Sequence, residues 1–322
     1  MEALTIYQHP ITQAPGANMA KPERLPLNIL VEKFIYDQDV RERSRSAYRR
    51  NIKQFLNWVK DAGLDPFTMK RDHVIAYKEF LAFKGLSPLS ISAYITAVRL
   101  FYRFLYREGL CWNIAEDVKL PRKPQGHRKQ PLAQSEGKAL LQYLTRQGPR
   151  NEAIGHVLIY CGLRTIEVSR LQVQDLTIRQ GKYVLMIHGK GHDIKDRFIT
   201  VNDRTLQALR AYLATRPGAL PGEPMFTSTS NNNRGQQLST TTISTMIKEA
   251  LRAIGLDDRM FTAHSLRHTF ATSSLKAGAP LDRVSKALGH SSINTTEIYL
   301  KTMDDFRRLQ DPVTDLINGL YD

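Results

Sequence analysis

Six side chains in the second half of this 322-residue chain have the types needed to break and remake a phosphodiester bond. Arg164 lies in Gly162-Leu163-Arg164-Thr165-Ile166-Glu167, Lys190 in His188-Gly189-Lys190-Gly191, and His264 and Arg267 in His264-Ser265-Leu266-Arg267-His268-Thr269. His290 follows Leu288-Gly289, and Tyr299 closes Thr295-Thr296-Glu297-Ile298-Tyr299. One at a time these motifs say little. An arginine near a helix start is commonly a surface residue, Gly-Lys-Gly a hairpin turn, and a tyrosine packing. Together they suit one chemistry. Attack on a phosphodiester passes through a pentacoordinate phosphorus whose nonbridging oxygens gain negative charge, and arginine meets that charge with a planar fork that holds two oxygens. His264 and Arg267, three apart on an apparent helix, can address one ligand. A tyrosine of pKa ~10 is a poor nucleophile at neutral pH unless a base or cations assist it. The departing sugar oxygen needs a proton, which a lysine on a hairpin can give; such donation is worth ~10²–10⁴-fold.

The order Arg164, Lys190, His264-x-x-Arg267, His290, Tyr299 resembles the tyrosine recombinase (phage integrase) family. The resemblance is carried by Gly162-Leu163-Arg164-x-x-Glu167, by His264-x-Leu266-Arg267-His268, and by Leu288-Gly289-His290 with Tyr299 nine residues on, and it spans about residues 25–310. It implies that Arg164 and Arg267 bind the scissile phosphate and that Tyr299 attacks it, leaving a 3′-phosphotyrosine and a free 5′-hydroxyl. Lys190 would protonate the leaving oxygen. His264 would act as base or hydrogen-bond partner, His290 would complete the donors around the transition state, and Glu167 would brace Arg164 without entering the chemistry. Two successive transesterifications conserve bond energy, so the resemblance implies no ATP, cofactor or metal. It further implies double-stranded DNA with an inverted-repeat core site as partner, and a homo-oligomer that is a tetramer in the synapse.

The hairpin departs from the family's frequent Gly-Lys-Gly-x-Lys-x-Arg. The run from Gly189 to Arg197 is two residues longer, which makes Lys195 a rival to Lys190. Tyr321, near the chain end, is a rival nucleophile outside the motif. His264 and His268 stand at i, i+4, as zinc ligands on a helix would, but Ser-Leu-Arg between them offers no glutamate base and sets a cation beside a dication. His268 reads better as a core or supporting histidine. A type IB topoisomerase would use similar chemistry as a swivelling monomer; the helical first domain and the tail argue against it. A catalytically idle DNA-binding protein would not need the intact six-residue set.

Those residues need a scaffold. Residues 1–24, with Pro10, Pro15, Gly16 and Pro22, read as a flexible arm. That is too short for a folded arm-site-binding domain, which favours a simple-site, Xer-like enzyme. Residues 25–118 carry four helical patterns, the fourth opened by Ser87 as N-cap and Pro88 at the first helical position. Two of these helices bear cations four apart: Arg45, Arg49 and Lys53 on one, Arg99, Arg103 and Arg107 on the other. Residues at that spacing share a helix face, and no acids stand within 44–60 or 86–107 to pair with them, so both rows are expected to meet a DNA backbone. Residues 119–131 form a basic, proline-containing linker whose Arg122, Lys123, Arg128 and Lys129 suit the same phosphates. Residues 132–311 read as a catalytic domain, helical except for strand-like runs at 173–178, 183–187 and 198–201. A short amphipathic helix follows at 312–322, where Val313, Leu316, Ile317 and Leu320 share a side. It must dock on something, and the resemblance favours a neighbouring protomer. The expected fold is mainly α with a small antiparallel β-sheet, in two domains that clamp duplex DNA.

Composition agrees with a polyanionic partner. There are 46 Lys+Arg against 31 Asp+Glu, a formal charge of +15, and each phosphate neutralised releases condensed counterions. No apolar run reaches the ~18 residues of a membrane span, and the N-terminus lacks the pattern of a signal peptide. Cys111 and Cys161 are too few for a disulfide framework or a zinc cluster. The expectation is a cytoplasmic protein.

Overall fold

In the computed structural model the described residues are 25–122, 129–188, 195, 197–290 and 299. The chain divides into two compact units, Met1–Gln125 and Gly126–Asp322. The first holds four described helices: α1 (Leu27–Asp37), α2 (Glu42–Asp61), α3 (Arg71–Phe83) and α4 (Pro88–Arg107). Each turns an apolar stripe of helical period inward, and the core is largely aromatic. Phe34 meets Phe101 edge-on at 5.4 Å and Phe55 meets Tyr77 at 5.0 Å, geometries that ring quadrupoles favour. The start of α4 follows its sequence signal: the Ser87 hydroxyl accepts from the Ser90 amide at 3.2 Å, with Pro88 at the first helical position.

The second unit is built around α6 (Pro149–Tyr160), whose residues from Ala153 to Leu158 are all buried. All of these but His156 are apolar or small, and a helix stretch buried on every side takes the middle of a domain. It is flanked by α5 (Gln134–Arg146), α8 (Asp203–Ala214) and α10 (Ala263–Lys276). The remaining α-helices among the described residues are α7 (Thr165–Arg170), α9 (Thr240–Ala253) and α11 (Leu281–Leu288). One three-stranded antiparallel sheet, in the order β1 (Leu176–Arg179), β2 (Lys182–Ile187), β3 (Arg197–Thr200), packs Leu185, Ile187 and Ile199 into this core. The first strand begins later than its sequence suggests. Asp175 accepts from the Gln172 amide at 2.8 Å, and this local bond turns 173–175 into a 3₁₀ segment instead of strand. No described helix is long and apolar enough to cross a membrane.

Candidate active site

The site grows from the loop that leaves α6. Gly162 has φ +61°, and a Cβ there would lie 2.5 Å from Phe270 Cδ1, so both backbone and space demand glycine. Its carbonyl accepts from Arg267 Nη1 at 2.8 Å. Two residues on, Arg164 is the N-cap of α7, and Glu167 at the third helical position reaches back to accept from the Arg164 amide at 2.8 Å. The same carboxylate takes Arg164 Nη1 at 2.8 Å. A helix-start device thereby also aims a guanidinium.

The opposite wall is the C-terminal end of α11, whose last carbonyls carry partial negative charge. The Leu288 carbonyl accepts from Arg267 Nη2 at 2.5 Å and faces Arg164 Nη1 at 3.5 Å. Ala287 accepts from Arg197. The helix closes at Gly289 in the left-handed conformation, φ +63°, and His290 follows. Arg197 Nη2 lies 3.0 Å from Glu167 Oε1, and Arg267 Nη1 lies 3.7 Å from Glu167 Oε2. Three guanidinium groups therefore face one buried carboxylate. Of the five N–H groups on Arg267, those bonded among the described residues go to Gly162 and Leu288, leaving fork donors for an anion. Burial, with Arg164 beside it, pulls the Arg267 pKa down to about 10; it stays charged at neutral pH.

Tyr299 is buried at 3% exposure. Its ring lies 5.3 Å from that of His268 and is stacked 6.5 Å from that of His290, and His268 in turn meets His264 edge-on at 4.7 Å. Burial raises the Tyr299 pKa, while Arg267 and Arg164 work against that rise. The resting hydroxyl is therefore protonated, and attack must be coupled to proton loss. Burial, then Arg267, Arg164 and Arg197, push His290 down to about 4, so at neutral pH it is an uncharged imidazole able to donate one N–H. His264 is exposed near the start of α10. The structure thus brings together Arg164, Arg267, His264, His290 and Tyr299. Lys190 lies outside the described residues. Its rival Lys195 is committed elsewhere: its ammonium is ion-paired with the buried Asp175 and donates to Gln172 Oε1 at 2.7 Å. Among the described residues no group of three or more His, Cys, Asp or Glu side chains could hold a metal ion.

Most of the basic rows in the first unit already have partners, drawn from other parts of the unit. Arg45 donates to the Gln38 carbonyl, Arg49 grips Glu32 with two bonds of 3.0 and 2.8 Å, and Arg107 pairs with Asp37. Arg103 lies 3.9 Å from Glu116, and Arg99 donates to the Val118 carbonyl. Lys53 is exposed, as is Arg50 three residues before it. In the linker, Arg122 is exposed and Lys129 donates to the Arg259 carbonyl, while Lys123 and Arg128 lie outside the described residues. So do the arm at 1–24, the tail at 312–322 and the rival Tyr321. Besides Glu167, which the sequence offers as a brace for Arg164, two contributors to the site stand outside the six-residue set. The i, i+4 spacing from His264 hints at His268, whereas Arg197 offers only its place after the hairpin.

Two arginines held on one carbonyl beside a buried tyrosine and three imidazoles are the kinds of group that could pass a phosphodiester to a tyrosine hydroxyl and back. Comparison with known proteins agrees. Residues 130–305 match the phage integrase family, and residues 30–109 match the phage integrase N-terminal SAM-like domain. The chain is similar to tyrosine recombinase XerD of Pseudomonas aeruginosa, 31% identical over 285 residues that cover 84% of this chain and 91% of that one. It is also similar to tyrosine recombinase XerD of Listeria monocytogenes, 29% identical over 85% of this chain and 94% of the relative. Its fold resembles XerH site-specific recombinase bound to palindromic difH substrate, with a TM-score of 0.69 at 21% identity over 84% of this chain and 80% of that one. A lambda integrase(75–356) dimer bound to a COC′ core site gives 0.66 at 16% identity over 84% and 96%. The chain belongs to the phage integrase family, and as a tyrosine recombinase it is an enzyme of site-specific DNA recombination by strand cleavage and rejoining.

Proposed function

We propose that this chain clamps duplex DNA at a core site made of inverted repeats and cuts one strand per active site through Tyr299. The Tyr299 oxygen forms a bond to phosphorus as the bond to the 5′-oxygen breaks, leaving a 3′-phosphotyrosine. Arg164 and Arg267 hold the nonbridging oxygens, His290 donates a further hydrogen bond, and His264 assists loss of the tyrosine proton. Lys190 returns a proton to the 5′-oxygen. Attack by a 5′-hydroxyl from the partner strand reverses the steps and rejoins the DNA. The observation that carries this reading is the shared carbonyl of Leu288, which gathers the two arginines beside a tyrosine of the same chain. Three guanidinium groups against one carboxylate suit a phosphate that gains charge in its transition state. The test is an SDS-resistant, 3′-linked protein–DNA adduct formed in EDTA by wild type but not by Tyr299→Phe.

Lys190 is the general acid of this scheme, because Lys195 has its ammonium held by Asp175 and Gln172. Lys190→Ala is expected to slow cleavage by ~10²–10⁴-fold, and Lys195→Ala by less than about tenfold. A DNA with sulfur in place of the leaving 5′-oxygen needs no proton donor and should restore Lys190→Ala. Full cleavage of ordinary DNA by Lys190→Ala would overturn the assignment.

The basic faces of the first unit and the linker are the DNA backbone contacts in this reading. Exposed ion pairs such as Arg49–Glu32 and Arg107–Asp37 are screened by water and contribute little, so their arginines can exchange a carboxylate for a phosphate. Lys53 and Arg50 need no such exchange. The protein works as an oligomer, four protomers joining two DNA sites. Residues 312–322 would supply the link by docking their apolar side on a neighbour. A groove of about 660 Å³ lined by Leu141, Ile159, Phe270 and Ala277 has the matching chemistry. Truncation after Asp311 should impair assembly and strand exchange while sparing DNA binding, and unchanged recombination by the shortened chain would remove the idea.

A further inference from the structure

Arg197 opens β3, yet its side chain leaves the sheet and is largely buried, at 14% exposure. It touches three parts of the site. Nη1 donates to the Ala287 carbonyl in the last turn of α11. Nη2 lies 3.0 Å from Glu167 Oε1, an ion pair without the alignment of a hydrogen bond. The guanidinium lies so close to Gly289 that a Cβ built there would stand 2.8 Å from Nε. Gly289 immediately precedes His290, whose amide returns to the Ser285 carbonyl at 3.2 Å. One cation thus holds the end of α11, supports the left-handed turn that carries His290, and ties both to the carboxylate that orients Arg164.

We propose that Arg197 is a positioning residue for strand cleavage, which acts by fixing the direction of the His290 imidazole against the Glu167–Arg164 pair. Its Nη1 is bonded to the Ala287 carbonyl and its Nη2 faces the Glu167 carboxylate, so it braces the end of α11 against that carboxylate. A guanidinium suits the task because its rigid plane reaches a carbonyl and a carboxylate together, whereas a lysine ammonium is a single point charge on a flexible stem. The effect on rate should be substantial, since displacing a catalytic group by ~1 Å can cost ~10²-fold.

The inference rests on the cleavage reading above, and its test separates the two. Single-turnover cleavage is measured on a nicked DNA carrying the target site, with wild-type protein, Arg197→Met, His290→Ala and the double variant. DNA affinity and thermal stability are measured alongside. Arg197→Met is expected to cut ~10–10²-fold more slowly with unchanged affinity, and the double variant no more slowly than the slower single one. Arg197→Lys should be intermediate; if Arg197→Met fails to fold, the cycle is run on the lysine variant. Losses that multiply in the double variant, or wild-type cleavage by folded Arg197 variants, would overturn the proposal. Absence of cleavage by wild type itself would instead count against the reading of Tyr299.

Discussion

Tyr299→Phe is expected to abolish the covalent protein–DNA adduct, lowering cleavage by at least ~10⁴-fold, while DNA affinity stays within about twofold. The substitution deletes one oxygen and leaves the ring. That ring supplies the contacts with His268 and His290 at 5.3 and 6.5 Å, and it closes a small apolar cluster with Ala271, Val284 and Leu288. Stability should therefore change by no more than ~1 kcal/mol, so loss of the adduct cannot be blamed on loss of the fold. Among the described residues, His268 is enclosed and the Cys161 thiol is buried with its pKa pushed up to about 12, so neither suits a replacement nucleophile. An adduct that survived would have to come from another nucleophile, with Tyr321 the first to examine. Tight, specific DNA binding with no adduct from either protein would point to a DNA-binding protein that does no chemistry.

Much of this was legible in the sequence, for reasons that also mark the limit. The helices of the first unit announce themselves because each buries one face at a 3.6-residue period, and α4 adds its Ser87-Pro88 start. Arg164 was readable because it sits in a short run whose neighbours, Gly162 and Glu167, serve the same local geometry. What escaped depends on contacts between distant segments. The basic rows look unopposed only within 44–60 and 86–107, since Glu42 at the start of α2, and Glu32, Asp37 and Glu116 from elsewhere in the unit, approach them. The ion pair that occupies Lys195 is not readable in the sequence because Asp175 lies 20 positions before it. Arg197 and Ala287 stand 90 positions apart, and no periodicity links them.

The buried carboxylate at the centre of the three arginines makes the second large effect a loss of stability. Glu167→Gln should lower the stability of the free protein by ~3–5 kcal/mol, the usual result of removing one partner from a buried charged cluster. Glu167 Oε1 takes Arg164 at 2.8 Å with Arg197 at 3.0 Å, and Oε2 takes the Arg164 amide at 2.8 Å with Arg267 at 3.7 Å. Glutamine keeps one acceptor but turns an NH₂ towards donors on the other side, and three guanidinium groups are left without a counter-ion. For a unit of this size the melting temperature should fall by roughly 10 °C. Glu167→Asp would keep the charge but shorten the reach, with a smaller loss. An anion in the site replaces part of the missing charge, so the deficit should narrow when target DNA is bound, by the ordinary linkage of ligand to the folded state. Cleavage by the bound variant should still be slow, because a phosphate that compensates the charge does not restore the second oxygen needed to hold both the amide and the guanidinium of Arg164. A Glu167→Gln protein that melted with the wild type would mean that the arginines do not depend on this carboxylate, and the account of how they are held together would fail.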